Sequence, residues 1–113
     1  MIYPKDMDRE CISLCDALNQ ISGVHTIESC CGHGDGPFHI WFRCQDVDIL
    51  RHIAYWLDGC HSGNYNWTLE VTTDCGKQPV KFLIVGHHHR NAIKEAEHIA
   101  NCIKGDKDIP RKQ

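Results

Sequence analysis

The chain has no apolar run approaching the ~20 residues that a membrane span requires. Its first residues, Met-Ile-Tyr-Pro-Lys-Asp, lack the charged and apolar regions of a secretory signal. It has no surplus of positive charge either. The net charge is −3, and the basic residues are dispersed except for Lys104, Lys107, Arg111 and Lys112. That balance argues against nucleic acid as a partner, because a protein gripping phosphates presents a basic face. With nine histidines, protonation below about pH 6.5 would remove or reverse the net charge. No Walker, Rossmann or zinc-finger spacing occurs. At 113 residues the expected product is one domain with a single modest core. Eight cysteines without an export signal are expected to be reduced thiols or ligands, not a disulfide framework, and a cytoplasmic location follows.

What the chain does have is one decapeptide dense in chemistry: Glu28-Ser29-Cys30-Cys31-Gly32-His33-Gly34-Asp35-Gly36-Pro37. Two thiols, an imidazole and a carboxylate sit on a loop whose glycines allow close backbone approach. Strand-like runs flank it, so Glu28 to Asp35 form the expected ligand-binding residues. Cys30 and His33 are suitable donors for zinc, with His61 and His87 as candidates to complete a tetrahedral set. Cys60 and the rest of His87-His88-His89 are further candidates. Adjacent cysteines on extended backbone point opposite ways, so one of Cys30 and Cys31 would serve a given site. Cys30 is the expected one, since it follows Ser29 directly and the strand fixes its direction; Cys31 should be held less firmly. Two other readings stay open. A cysteine nucleophile would use His33 as base, oriented by Glu28 or Asp35; an anion cradle would use the loop's N–H groups, although the loop contains no lysine or arginine. The plain alternative is a hairpin with one cysteine packed inward and the other facing solvent.

Asp6 or Asp8 can cap a helix with apolar positions Cys11, Ile12, Leu14, Cys15, Leu18 and Ile21, ended by Gly23. Cys11 and Cys15 read as small buried hydrophobes. Strands are expected at 24–29 and 38–44, then a helix capped by Asp46 and carrying Val47 to Leu57. A second strand pair, 67–73 and 80–85, and a helix over 90–104 complete a domain spanning 1–105. Residues 106–113 read as a flexible, charged tail. A shift of 42 positions places Thr26 on Thr68, Glu28 on Glu70, Gly34 on Gly76, Pro37 on Pro79 and Cys60 on Cys102, which points to an internal duplication. A right-handed crossover through the middle helix would make strands two and three run together, with strands one and four opposite. The expected fold is an α/β (α+β) two-layer sandwich resembling ferredoxin-like folds: a four-stranded sheet and three helices in the order α-β-β-α-β-β-α. The Cys30–Gly36 loop, Cys60-His61 and the histidine run should then share one end of the sheet. Asp74-Cys75-Gly76 should lie at the other.

The run Leu14-Cys15-Asp16-Ala17-Leu18-Asn19, with Thr26-Ile27-Glu28-Ser29-Cys30-Cys31-Gly32 after it, resembles the start of the wybutosine-synthesis tRNA methyltransferase family. That family carries a Ser-Cys-Ser-Gly-Arg turn; here Cys31 stands for its second serine and His33 for its arginine. The resemblance covers residues 11–44 and implies site positions at Ser29, Cys30 and Gly32. The string Glu-Ser-Cys-Cys-Gly-His-Gly is also similar to a group of small bacterial and phage proteins without an assigned role. A domain binding a small molecule or metal ion is the leading expectation. The alternatives are a cysteine-dependent or tRNA-modifying enzyme and a protein-interaction module.

Overall fold

The computed structural model describes residues 7–34, 36–58, 65–72, 80–88 and 90–112. A short 3-10 turn, Arg9–Cys11, leads into α1 (Ile12–Asn19), followed by β1 (Val24–Cys30), β2 (Phe38–Cys44), α2 (Val47–Leu57), β3 (Trp67–Thr72), β4 (Lys81–Gly86) and α3 (Ala92–Gly105). The element order and the α+β class are those the sequence predicts.

The four strands form one sheet in the order β1-β2-β4-β3, each pair antiparallel. Because β2 and β3 both oppose β4, they run in the same direction, and β1 runs with β4. This is the split β-α-β arrangement of ferredoxin-like folds, with edge strand β1 joined to β2 by a hairpin. The sheet order is also what a pseudo-two-fold between β2 and β4 produces, and the register supports it. Glu28, Ser29 and Cys30 pair with Trp41, Ile40 and His39, while Glu70, Val71 and Thr72 pair with Leu83, Phe82 and Lys81. Every one of these positions is displaced by the same 42 residues. The two halves differ at one place: β1 carries a bulge between Thr26 and Glu28, and the β3–β4 pairing is continuous.

One face of the sheet is apolar. Phe38, Ile40 and Phe42 of β2, Phe82 and Ile84 of β4, and Trp67 of β3 are buried there with Leu14 and Leu18 of α1, Ile53 and Trp56 of α2, and Ile99 and Ile103 of α3. The alternation in β2 is regular because its outward residues, His39, Trp41 and Arg43, meet no helix. Asp46 caps α2 as expected, its side chain accepting from the Asp48 N–H at 2.9 Å.

The charged C-terminal segment departs from the expected flexible tail. Ile109 is only 6% exposed and belongs to the core. Arg111 donates to the carbonyls of Ile103 at 2.7 Å, Lys104 at 3.0 Å and Asp106 at 2.9 Å, tying the segment to the end of α3. Ser22 N–H donates to Pro110 O and Lys112 N–H to Gln20 O, each at 2.8 Å, beside an antiparallel bridge between Ile21 and Arg111. Charge here serves as a clasp. Ile109→Ala should therefore cost about 2–5 kcal/mol, the range for truncating a buried isoleucine. Urea denaturation measures this, and a loss below half a kcal/mol would restore the tail reading.

Candidate metal centre

The pairing of Phe38 with Gly86, Trp67 with Gly86, and Cys30 with His39 gathers one set of strand ends together. Residues 31–34, 36 and 37 and His87-His88 lie at that end, as the crossover argument requires. Cys60, His61 and the Asp74-Cys75-Gly76 turn lie outside the described residues.

The bulge decides which thiol faces inward. Ile27 is the extra residue of β1, so the inward positions are Val24 and Thr26 before it but Ser29 and Cys31 after it. A bulge leaves one backbone position outside the ladder and re-aims the side chains that follow. Here the last residue of α1 supports it. Asn19 Oδ1 accepts the Thr26 N–H at 2.9 Å, and its Nδ2 donates to Thr26 Oγ1 at 2.7 Å. The result places Cys31 in the core, 3% exposed, and leaves Cys30 half-buried on the side that no helix covers. Cys31, expected to be the looser of the two, is the more firmly enclosed.

Beyond Cys31 the chain turns through two left-handed residues, Gly32 at φ 79° and His33 at φ 53°. A Cβ on Gly32 would stand 2.9 Å from the Pro37 carbonyl oxygen, so this position requires glycine twice over, for conformation and for space. The turn sends each thiol an N–H from two residues on: Gly32 N to Cys30 Sγ and His33 N to Cys31 Sγ, both at 3.4 Å. Gly32→Ala should destabilise the domain by at least about 1–2 kcal/mol, the cost of a left-handed alanine alone. The same substitution should expose Cys31 to alkylating reagents. Thermal melting and thiol labelling check both effects, and a variant with unchanged melting and labelling would show that the turn tolerates a side chain.

The third member is Asp8. It occupies the N-cap position of the 3-10 turn, yet its side chain makes no capping bond. Instead Oδ2 accepts the Cys31 N–H at 2.9 Å, 23 residues away in sequence, and lies 3.6 Å from His33 Nε2. His33 Nδ1 lies 3.7 Å from Cys31 Sγ. One ligand atom each from Asp8, Cys31 and His33 falls within 4.8 Å of the other two. The imidazole borders the carboxylate and the thiol through different nitrogens, so a bound ion would take one of them. The Cys31 N–H holds the Asp8 carboxyl below its ordinary value against the opposing effect of burial, and the Cys31 thiol, His33 and the Cys30 thiol add to the lowering. Burial pushes the Cys31 thiol up, partly offset by the His33 N–H it accepts. The cluster is thus an ionised carboxylate beside a neutral thiol and an imidazole that is 68% exposed.

Of the other expected residues, Ser29 lies on the inward side of β1, where its hydroxyl opposes the effect of burial on the thiols of Cys11 and Cys15. Glu28 is exposed on the sheet's outer side, and Gly34 closes the turn. His87 Nε2 pairs with Thr68 Oγ1 at 3.1 Å, toward β3 and away from the loop. His88 Nδ1 sits 3.1 Å from the Glu95 carboxylate, which also accepts the Trp67 indole N–H at 2.8 Å. Asp35, His61 and His89 lie outside the described residues. Cys11, Cys15, Cys30, Cys31 and Cys44 are free thiols. Cys102 is disulfide-bonded, where the absence of an export signal led to the expectation of thiols. Asp8 was legible only as a cap; nothing in its spacing announces that its carboxylate turns to a residue on β1.

Compared with known proteins, the chain matches no family model, no curated protein and no solved structure.

Proposed function

We propose that this α/β domain binds a zinc-class divalent metal ion through Asp8, Cys31 and His33, leaving a coordination position for a small ligand. The carrying observation is the convergence of one oxygen, one sulfur and one nitrogen donor from three chain positions within 4.8 Å. Zinc accepts this mixed set, and three protein ligands with an open fourth position distinguish a ligand-exchanging site from a closed structural one. Asp8 is already ionised, and the N–H that His33 gives to Cys31 Sγ would stabilise the thiolate that a metal creates. Cys30, whose thiol helps to lower the Asp8 carboxyl, is the neighbouring candidate for the fourth position. Burial and a raised thiol pKa work against Cys31 as a nucleophile, because cysteine reacts as the thiolate.

The test is metal analysis of protein purified without a metal-affinity resin, followed by cobalt titration of the chelator-stripped protein. One bound equivalent with thiolate-to-cobalt charge-transfer absorption is expected. Because the buried thiol must lose its proton, affinity should rise with pH through the neutral range. Folded protein that neither retains metal nor develops that absorption would refute the proposal.

A further inference from the structure

Among the described residues, Glu95 is the only buried side chain that carries a formal charge. The 42-residue shift sets it on Ile53, which packs in the core, so an apolar residue fits the equivalent place in the first half. A carboxylate there costs free energy unless its oxygens are bonded. Both are: Oε1 accepts the Trp67 indole N–H at 2.8 Å, and Oε2 lies 3.1 Å from His88 Nδ1. The His88 side chain is 39% exposed. Its backbone is fixed at the entry to α3, where the His88 carbonyl accepts the Asn91 N–H at 2.9 Å and the Ala92 N–H at 2.7 Å. A carboxylate only accepts, so Nδ1 carries the ring proton and Nε2 keeps its lone pair. Among the described residues nothing bonds Nε2. A buried charge thus serves an exposed imidazole with one bare nitrogen.

We infer that His88 Nε2 accepts a phosphoryl group from a phosphoramidate (P–N) donor, with Glu95 as its positioning residue. Histidine is a competent nucleophile when one nitrogen is bare and the other is held by a group that offsets the charge the ring acquires. The competing roles ask for more. Activating a protein nucleophile needs a hydroxyl or thiol on Nε2, and a metal needs further donors. Among the described residues no such group bonds Nε2, and the converging donors are Asp8, Cys31 and His33. In the step, the Nε2 lone pair forms an N–P bond as the donor's P–N bond breaks. The donor nitrogen, protonated beforehand, leaves as the neutral amine with the electron pair of that bond. The ring becomes an N-phosphoimidazolium whose Nδ1 proton faces the Glu95 carboxylate. One P–N bond replaces another, so no oxidant or reductant is consumed. Arg90, exposed in the turn that leads into α3, is the nearest cation in sequence for the donor's oxygens.

Phosphoramidate itself is the probe, added to the full chain in chelator so that Asp8, Cys31 and His33 hold no metal. Nine histidines make the chain its own control. Site mapping by mass spectrometry should show His88 modified at least about tenfold faster than the other exposed histidines. Phosphorus–proton NMR should place the phosphorus on Nε2. Glu95→Gln keeps an oxygen for the Trp67 indole but turns an amide donor toward Nδ1, which moves the ring proton to Nε2 and removes the lone pair. That variant should lose the rate advantage, with nitrogen-15 NMR reporting the changed His88 tautomer in the same folded sample. A glutamate that only filled space would leave the tautomer alone. Where Glu95→Gln does not fold, the parent's own selectivity and attachment site decide the matter. His88 reacting no faster than the other exposed histidines, attachment at Nδ1, or a folded Glu95→Gln that reacts like the parent would overturn the assignment.

Discussion

Cys31→Ser is expected to lower zinc affinity by more than about 100-fold, beyond the 10–100-fold that outer-sphere changes cost. It removes the one thiol that Asp8 and His33 both border. Asp8→Asn is the sharper companion. It keeps an oxygen for the Cys31 N–H while deleting the anionic donor, so the loop should hold and metal should still be lost. Cys30→Ser should weaken binding by no more than about tenfold, since its thiol only neighbours the set. Competition titrations against a chromophoric chelator rank all three. Equal effects of the two cysteine substitutions would mean that Cys30 is itself a ligand.

The second large effect is alkaline unfolding. Burial pushes the Cys11 thiol up to about 12 and the Cys15 thiol up to about 11, from an ordinary value near 9, with the Ser29 hydroxyl opposing in both cases. Both thiols are neutral in the fold and ionise more readily once unfolded, so their contribution is complete below about pH 9 and falls as pH climbs toward 11 and 12. Each would remove roughly 1.4 kcal/mol per pH unit across its window. Two together reach several kcal/mol, a large share of the ~5–15 kcal/mol that holds a domain of this size. Urea midpoints measured from pH 8 to 11 should drop steeply, and Cys11→Ala/Cys15→Ala should flatten the curve. A parent protein as stable at pH 11 as at pH 8 contradicts it.

Periodicity located most of the secondary structure because the inward and outward residues differ so sharply. Phe38–Cys44 is the clearest case: Phe38, Ile40 and Phe42 are buried and His39, Trp41 and Arg43 are not. The strand before it was only half legible. Placing Val24, Thr26 and Glu28 on one side holds as far as Thr26 and fails at Ile27, since a bulge adds a residue without any signature in composition. That single insertion reversed the ranking of Cys30 and Cys31. The fourth strand, expected over 80–85, runs one residue further to Gly86, where a Cβ would lie 2.6 Å from the Trp67 ring and only glycine fits. The C-terminal segment was misread because its charged side chains look solvated until the carbonyls that Arg111 and Lys112 satisfy are known. In the candidate site, Cys31 and His33 were visible as chemistry on a glycine-rich turn. Asp8 was not, since long-range closure brings it there and local pattern does not.

The clasp bears on the order in which the molecule assembles. Lys112 Nζ donates to Val24 O at 2.6 Å, joining positions 88 residues apart. Asp8 meets Cys31 across only 23. During synthesis Asp8, Cys31 and His33 can therefore meet while most of the second hairpin and α3 are still inside the ribosome, and closing the shorter loop costs less chain entropy. The junction between α1 and β1 has to wait until residue 112 has emerged. For that interval the half of the domain carrying the thiols is formed without the strap that finally holds it, and metal captured then would act as a temporary fastener.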